Sequence, residues 1–302
     1  MSSRPAPTLG GQALVEGVLI RTAERWSVAL RRPDGTIHLS DGAIASGSGA
    51  WRLPFLRGLR ALGVQFRLGM RALVDSSVMA EHGEIRAVPT MLLAGMVGAS
   101  VLIGLLVFTA LPLVLTGRDP AAEASLLQRM SEGLIKTGFL AVYVVGVTRV
   151  GRYRRIFSYH GAEHMAIACA EAEQALTVDN VSRFSPAHPR CGTGFLVILA
   201  TVDTFVLAVL PRMGEAADLA VRVGFLPVTA AVAYELLRWG SRQRGVGSVL
   251  NRFGLLTQRL TTAQPDRQQI EVAIAAVELC RSLPTEAPAA EPVPASSLAP
   301  AQ

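Results

Sequence analysis

The sequence predicts a mainly helical, polytopic membrane protein with about four spans, a small N-terminal β-hairpin and further helices in the cytoplasm. Composition is the first reason: of 302 residues, 50% are hydrophobic and 17% are charged, whereas a soluble domain carries about a quarter charged residues. The mean hydropathy is +0.38. The second reason is the uncharged run 87–117, which exceeds the ~20 residues that a helix needs to cross a bilayer. These features exclude an ordinary soluble enzyme and a largely disordered chain.

Four apolar segments are each predicted to form a membrane-spanning helix. The second has Lys136 and Arg149 near its ends, where long cationic side chains can reach the lipid headgroups. Asp203 interrupts the third, and an intramembrane carboxylate is either functional or paired with a neighbouring polar group. Pro227 predicts a kink in the fourth. The four segments are residues 87–117, 133–150, 191–211 and 219–237.

Arginines are unevenly distributed over the connecting segments. They cluster before the first span, between the second and third spans, and after the fourth. Because positively charged loops stay in the cytoplasm, we predict a multi-pass protein of the inner (plasma) membrane with both termini in the cytoplasm. The net charge of +6 then reflects topology, and no nucleic-acid partner is expected. The clustered arginines are Arg52, Arg57, Arg60, Arg67, Arg71, Arg86, Arg149, Arg152, Arg154, Arg155, Arg183, Arg190, Arg238, Arg242, Arg244, Arg252 and Arg259.

Two cytoplasmic segments precede the first span. Residues 1–52 contain short alternating runs around Pro33, Asp34 and Gly35, a turn signal that predicts a β-hairpin. Residues 53–86 place apolar side chains and arginines on opposite sides of a helix. This basic amphipathic helix lies either in the membrane interface or on the protein's own core.

The later cytoplasmic segments are also helical. Residues 239–281 contain a helix that Asp266 or a neighbour can cap. The stretch 282–302 is rich in Ala, Pro, Glu and Ser and is predicted to be disordered. The remaining divisions are a first transmembrane pair (87–150), a histidine-containing loop and helix (151–190) and a second transmembrane pair (191–238).

The strongest chemical signal is an H-x-x-E-H motif formed by His160, Glu163 and His164. On a helix the two histidines share one face, with the spacing at which two imidazoles can bind one metal ion. In zinc peptidases with this inverted motif the glutamate is the general base, so Glu163 is the candidate catalytic residue. His188 and Cys191 form an H-x-x-C pair at the start of the third span, and imidazole and thiolate both bind zinc well.

The predicted topology brings a fifth ligand candidate, Glu235, to the same membrane face. We therefore predict a site for a divalent metal, with zinc the preferred ion. In the alternative interpretation the histidines are solvent-exposed, Cys191 is a small buried hydrophobic residue, and Glu235 pairs with a nearby arginine. The predicted ligands are His160, His164, His188, Cys191 and Glu235.

A set of motifs is spread over about residues 10–277. They are GGQALVEGVLIR (10–21), PFLRGLRAL (54–62), YHGAEHMAI (159–167), LTVDNV (176–181), HPRCGTGF (188–195), YE (234–235) and LTTAQPDRQQIEVAI (260–274). Together they resemble the YqhQ-like family of bacterial membrane proteins, a family of unknown function labelled as predicted metal-dependent enzymes. The resemblance implies that the positions behind this label are His160, Glu163, His164, His188 and Cys191. It also adds Glu16 and Arg21 as polar positions, and it supplies no substrate.

Two functions from different classes fit these patterns. The first is a zinc-dependent hydrolase at the cytoplasmic membrane face, acting on a membrane protein segment or a lipid-linked molecule. The second is a membrane scaffold or assembly factor in which the metal is structural. A transporter is a third class, motivated by Asp203 and the kinked fourth span. It would require oligomerisation around a pathway, and the sequence shows no inverted repeat.

Overall fold

The structure, a computed structural model, describes residues 8–45, 47, 49–86, 88–115, 126–188, 191–209, 215–240 and 246–283. Within them the chain is mainly helical and begins with a four-stranded antiparallel sheet in the order β1-β2-β3-β4. The predicted disordered tail 282–302 lies almost entirely outside the described residues. The strands are β1 Gly10–Leu14, β2 Gly17–Arg21, β3 Arg25–Arg31 and β4 Ile37–Ala43.

The predicted hairpin around Pro33 is confirmed as the β3–β4 pair. The Asp34 carboxylate accepts hydrogen bonds from the backbone N–H and hydroxyl of Thr36, at 2.9 Å and 2.7 Å, and Gly35 has a positive φ of 87°. The sheet is larger than predicted because the preceding residues form a second hairpin, in which Leu14 pairs with Gly17.

The helices follow the sheet in chain order. The helix Thr90–Leu105 continues into a π-helical turn at Leu106–Ala110. α10 begins with a capping box, since Asp266 and Gln269 each hydrogen-bond to the other's backbone N–H, as predicted for this end. The helices are α1 Leu56–His82, α2 Thr90–Leu105, α3 Leu111–Leu115, α4 Leu126–Arg149, α5 Gly151–Glu171, α6 Val178–Val181, α7 Gly192–Val209, α8 Glu215–Gly240, α9 Val246–Thr261 and α10 Arg267–Ser282.

The sheet is the middle layer of a three-layer unit. Alternate residues of a strand point to opposite faces, so Ile20 packs with α5 and α10, whereas Leu19 packs with α1. On the α1 side Ala72 and Met79 are buried. The C-terminal half of α1 therefore packs on the protein's own core, one of the two placements predicted for this helix.

Three of the described helices are long and apolar enough to cross a membrane: Thr90–Ala110, Met130–Arg149 and Ala217–Gly240. They correspond to the first, second and fourth predicted spans. The third predicted span is α7, whose apolar stretch Gly192–Val206 is shorter.

Polar side chains link these helices to one another. Asp203 of α7 accepts a hydrogen bond from Lys136 of α4 at 2.5 Å, and Arg222 of α8 forms an ion pair with Glu132 of α4. Asp203 therefore has a cationic partner, which lowers the cost of a carboxylate within an apolar helix.

Candidate metal centre

Three of the five predicted ligands come together where α5 meets the residue before α7. The ligand atoms of His160, His164 and Cys191 all lie within 4.8 Å of one another. Both histidines belong to α5, and their ring centroids are 4.4 Å apart. His160 Nε2 lies 3.2 Å from Cys191 Sγ. Two imidazoles and a thiolate form a donor set that suits zinc, so these residues fit the metal implied by the motif.

Backbone carbonyls fix the orientation of both imidazole rings. His160 Nδ1 is 2.8 Å from the carbonyl oxygen of Thr261, and His164 Nδ1 is 2.6 Å from that of Pro186. A carbonyl oxygen only accepts hydrogen bonds, so each Nδ1 is the donor, and in the neutral ring Nε2 then has the free lone pair. Histidines that bind metals commonly donate one ring N–H to such an acceptor and coordinate the metal through the other ring nitrogen.

Cys191 immediately precedes α7 and is buried. The backbone N–H of Thr193 points at its sulfur at 3.4 Å, and the Thr193 hydroxyl lies 3.1 Å away. These contacts fix the position of the sulfur at the start of α7. Cys191 is thus placed to act as a thiolate ligand.

Glu163 lies on α5 between the two histidines and is only 3% exposed. Within the described residues its Oε2 has no hydrogen-bond partner. Burial raises its pKa to about 7, although the nearby charges of His160 and His188 act in the opposite direction. A carboxyl group whose pKa lies near neutrality can both accept and release a proton under physiological conditions.

A close approach between β1 and α5 seals one side of this carboxyl group. A Cβ atom placed on Gly11 would lie 2.6 Å from Glu163 Oε1, so only glycine fits at this point of β1. A Cβ on Gly161 would likewise collide with the carbonyl oxygen of Ala263. Both glycines let backbone pack directly against the centre.

His188 borders the cluster without belonging to it. Its ring centroid is 5.6 Å from that of His164, and its Nε2 is 3.5 Å from Glu171 Oε2. The side chain of Gln258 holds the His188 backbone through two hydrogen bonds, 2.8 Å to the N–H and 2.9 Å to the carbonyl. His188 therefore supports the centre and adds a polar group to its wall.

The structure does not bring Glu235 to the cluster. Its carboxylate is bound by the guanidinium of Arg57, at 2.8 Å and 2.5 Å, and it accepts the backbone N–H of Phe55 at 3.3 Å. The contact joins the start of α1 to the end of α8. The carboxylate that the sequence predicted as a metal ligand is therefore occupied by an arginine 178 residues earlier in the chain.

Several residues around the centre have no signal that sequence reasoning could use. Thr261 and Pro186 act through backbone carbonyls, which every residue possesses. Glu16, known only from the motif resemblance, accepts two hydrogen bonds from Arg155, at 2.5 Å and 2.6 Å, and one from Tyr159 at 3.2 Å. Glu16 therefore holds the β1–β2 turn against α5. Its partner Tyr159 directly precedes His160.

Comparison with known proteins identifies the family. Residues 53–282 match the family described as "Protein of unknown function (DUF1385)". The chain belongs to this family. It is also 31% identical, over 292 residues, to "Uncharacterized protein YqhQ" of Bacillus subtilis (strain 168), an alignment that covers 89% of this chain and 90% of that protein. The YqhQ-like resemblance predicted from the motifs is thereby confirmed. No solved structure matches the chain.

Proposed function

We propose that the protein is a membrane-anchored, metal-dependent hydrolase whose centre lies at the cytoplasmic face of the inner membrane. The observation that carries the proposal is the cluster of His160, His164 and Cys191 beside the buried carboxyl group of Glu163. Three protein ligands leave one position open in a tetrahedral zinc site, which is the arrangement of catalytic rather than structural sites.

When bound, a divalent cation supplies Lewis acidity, which acidifies water and polarises the oxygen of a scissile carbonyl or phosphoryl group. His160 and His164 would hold it through Nε2, since their Nδ1 atoms are committed to backbone carbonyls. Glu163 takes the proton from the attacking water at its partner-free Oε2 and passes it to the leaving group. The low exposure of Glu163 excludes bulk water from this transfer.

The second candidate function is a scaffold whose metal is structural. It is favoured by the position of the cluster, which joins α5 to the start of α7 and so ties the three-layer unit to a membrane helix. A closed fourth position would require a further donor, and His188 is the nearest imidazole, with its ring 5.6 Å from that of His164. In this function Glu163 has no chemical role.

The first test is the metal content of the full chain in detergent, measured by elemental analysis. We expect about one zinc or similar ion per chain, lost in His160→Ala/His164→Ala. His82→Ala is the control and should retain the ion, because His82 is the last residue of α1 and is distant in sequence from the cluster. A metal-free wild-type protein that is folded would contradict both candidate functions.

The second test separates catalysis from scaffolding through Glu163→Gln, with Glu171→Gln as the matched control on the same helix. We expect Glu163→Gln to keep the metal and to lower hydrolysis of fluorescein-labelled casein at least 100-fold, the effect of removing a general base. Glu171→Gln should stay within a few fold. Equal turnover in the wild type and Glu163→Gln, with metal retained in both, would eliminate the general-base role.

A further inference from the structure

Among the described residues, one edge of the sheet carries unpaired backbone groups at Gly11 and Ala13, close to Glu163. β1 is the outer strand, and its register with β2 pairs Leu14 with Gly17. The Arg31 N–H donates to the Glu16 carbonyl at 2.7 Å. Glu16 and the even-numbered residues of β2 therefore turn their backbone groups toward β3. Odd-numbered residues of β2 therefore face β1, and their partners in β1 are Gly10, Gln12 and Leu14. The alternation leaves the backbone groups of Gly11 and Ala13 directed outward.

The next outward N–H along this edge confirms the alternation. Val15 N–H donates to the Ser76 hydroxyl at 3.2 Å, so α1 closes the edge at that point. Within the described part of the chain, the backbone N–H and C=O groups of Gly11 and Ala13 have no hydrogen-bond partner outside the sheet. Both residues are partly accessible to solvent. Unpaired strand edges of this kind bind extended chains.

The open part of the edge runs past the candidate base. Gly11 is the residue whose missing side chain makes room for Glu163 Oε1. A Cβ placed on Gly10 would meet no atom within 4 Å, so the face of β1 that carries Gly10 is open at this residue. The Gln12 side chain turns the other way, toward α1, where its Oε1 accepts a hydrogen bond from Gln65 at 3.0 Å. A chain paired with β1 at Gly11 would lie one strand spacing, about 5 Å, from the strand that contacts Glu163.

We infer that the free edge of β1, at Gly11 and Ala13, binds the backbone of an extended polypeptide and presents it to the metal centre. The substrate class of the centre is then a peptide segment rather than a lipid-linked small molecule. Cleavage rests on the proposed hydrolase function, whereas binding to the edge needs only the backbone groups. In cleavage, the water oxygen joins the peptide carbonyl carbon, the C–N bond breaks, and the proton taken up by Glu163 goes to the leaving nitrogen.

The experiment measures peptide binding in full-length Glu163→Gln, which cannot turn the probe over. The probe is a dansyl-labelled hexapeptide of alternating Leu and Thr, followed by fluorescence anisotropy. Ala13→Pro, added to this background, removes one outward N–H and no bond to β2, and proline is tolerated at such edge positions. Ala13→Ser keeps the N–H and is the matched control.

We expect Ala13→Pro to raise the Kd for the hexapeptide about tenfold, through one lost hydrogen bond and the obstruction of its ring. Ala13→Ser should stay within about twofold. Equal Kd values for the two variants, or no binding to the Glu163→Gln protein, would overturn the inference. So would a dimer of the Glu163→Gln protein that Ala13→Pro converts to a monomer without any peptide binding, because the edge would then pair with a second copy.

Hydrogen exchange tests the edge without any change at Ala13. In the Glu163→Gln protein, the hexapeptide should slow exchange of the Gly11 and Ala13 amides at least fivefold, and unchanged exchange would overturn the inference. The hydrolase proposal fails separately: binding of the hexapeptide with no cleavage by the wild type leaves the edge intact and removes only the catalytic role.

Discussion

Each histidine of the cluster uses one ring nitrogen for the fold and keeps the other for a ligand. The carbonyl oxygens of Thr261 and Pro186 accept hydrogen bonds from the Nδ1 atoms, at N···O distances of 2.8 Å and 2.6 Å. These bonds set the tautomer and the direction of both rings. The i, i+4 spacing alone placed His160 and His164 on one face of a helix. The direction of their rings could not be predicted, because backbone carbonyl acceptors leave no trace in residue type.

Cysteine substitution tests the third ligand at this scale. Cys191→Ala should weaken metal binding at least 100-fold, since a thiolate contributes much of the affinity of a mixed nitrogen and sulfur site. Cys169→Ala is the matched control, because Cys169 is also buried, lies on α5, and its thiol faces the Gln174 and Ala175 carbonyls. The measurement is a Co²⁺ titration followed by the thiolate-to-metal absorption band.

A band of full intensity in Cys191→Ala would show that the sulfur does not bind the metal. Loss of the band in both variants would instead indicate that the fold around α5 depends on small buried thiols. Only loss in Cys191→Ala alone agrees with the assigned ligand.

At the scale of elements, α5 and the β1–β2 hairpin depend on each other. Burial by itself would raise the pKa of Glu16, but the hydrogen bonds and charge of Arg155 outweigh it and hold that pKa below its usual value. A carboxyl whose folded pKa is depressed stabilises the fold at pH above its ordinary pKa, and this contribution disappears as pH falls through the folded pKa. The hairpin should therefore loosen from α5 in acid.

We expect Glu16→Gln to lower the free energy of unfolding by about 1 kcal/mol or less at pH 7, because Arg155 is largely exposed and water screens the pair. The difference from the wild type should shrink as the pH falls below 4.5, the ordinary pKa of the group. Thermal unfolding in detergent at pH 7 and at lower pH checks this. Glu24→Gln, on the same sheet and without an ion pair in the described residues, is the control, and a pH-independent difference would refute the linkage.

The two hairpins show what local sequence can and cannot predict. β3–β4 was predictable because Asp34 and Gly35 supply turn chemistry between alternating runs. β1–β2 was not, because its strand GGQAL has low β propensity and its turn places Glu16 at a positive φ of 52°, a conformation that sequence patterns assign to Gly or Asn. Contacts distant in sequence, such as Glu16 with Arg155, stabilise this turn.

At the scale of the whole molecule, contacts between the helices and the sheet constrain the number of membrane crossings. The sheet packs against α5 and α1, so if α2 crosses a membrane, the chain must return to the face from which α2 departs, and α4 is the helix that would make that return. The metal cluster places the start of α7 at this face, and the Arg57–Glu235 pair places the end of α8 there. If α8 crosses, it must start at the opposite face, and α7 must therefore cross as well.

These contacts predict four crossings, although α7 has the shorter apolar stretch. Its carboxylate Asp203 is paired with Lys136 at 2.5 Å, which makes crossing feasible. Cysteine labelling of intact cells with a membrane-impermeant maleimide tests the prediction, since the native cysteines are buried. Ala121→Cys and Met213→Cys should be labelled in intact cells, whereas Glu173→Cys should be labelled only after permeabilisation. Protection of Met213→Cys in intact cells, with Ala121→Cys labelled, would mean that α7 does not cross and that the Arg57–Glu235 contact requires a different path for α8.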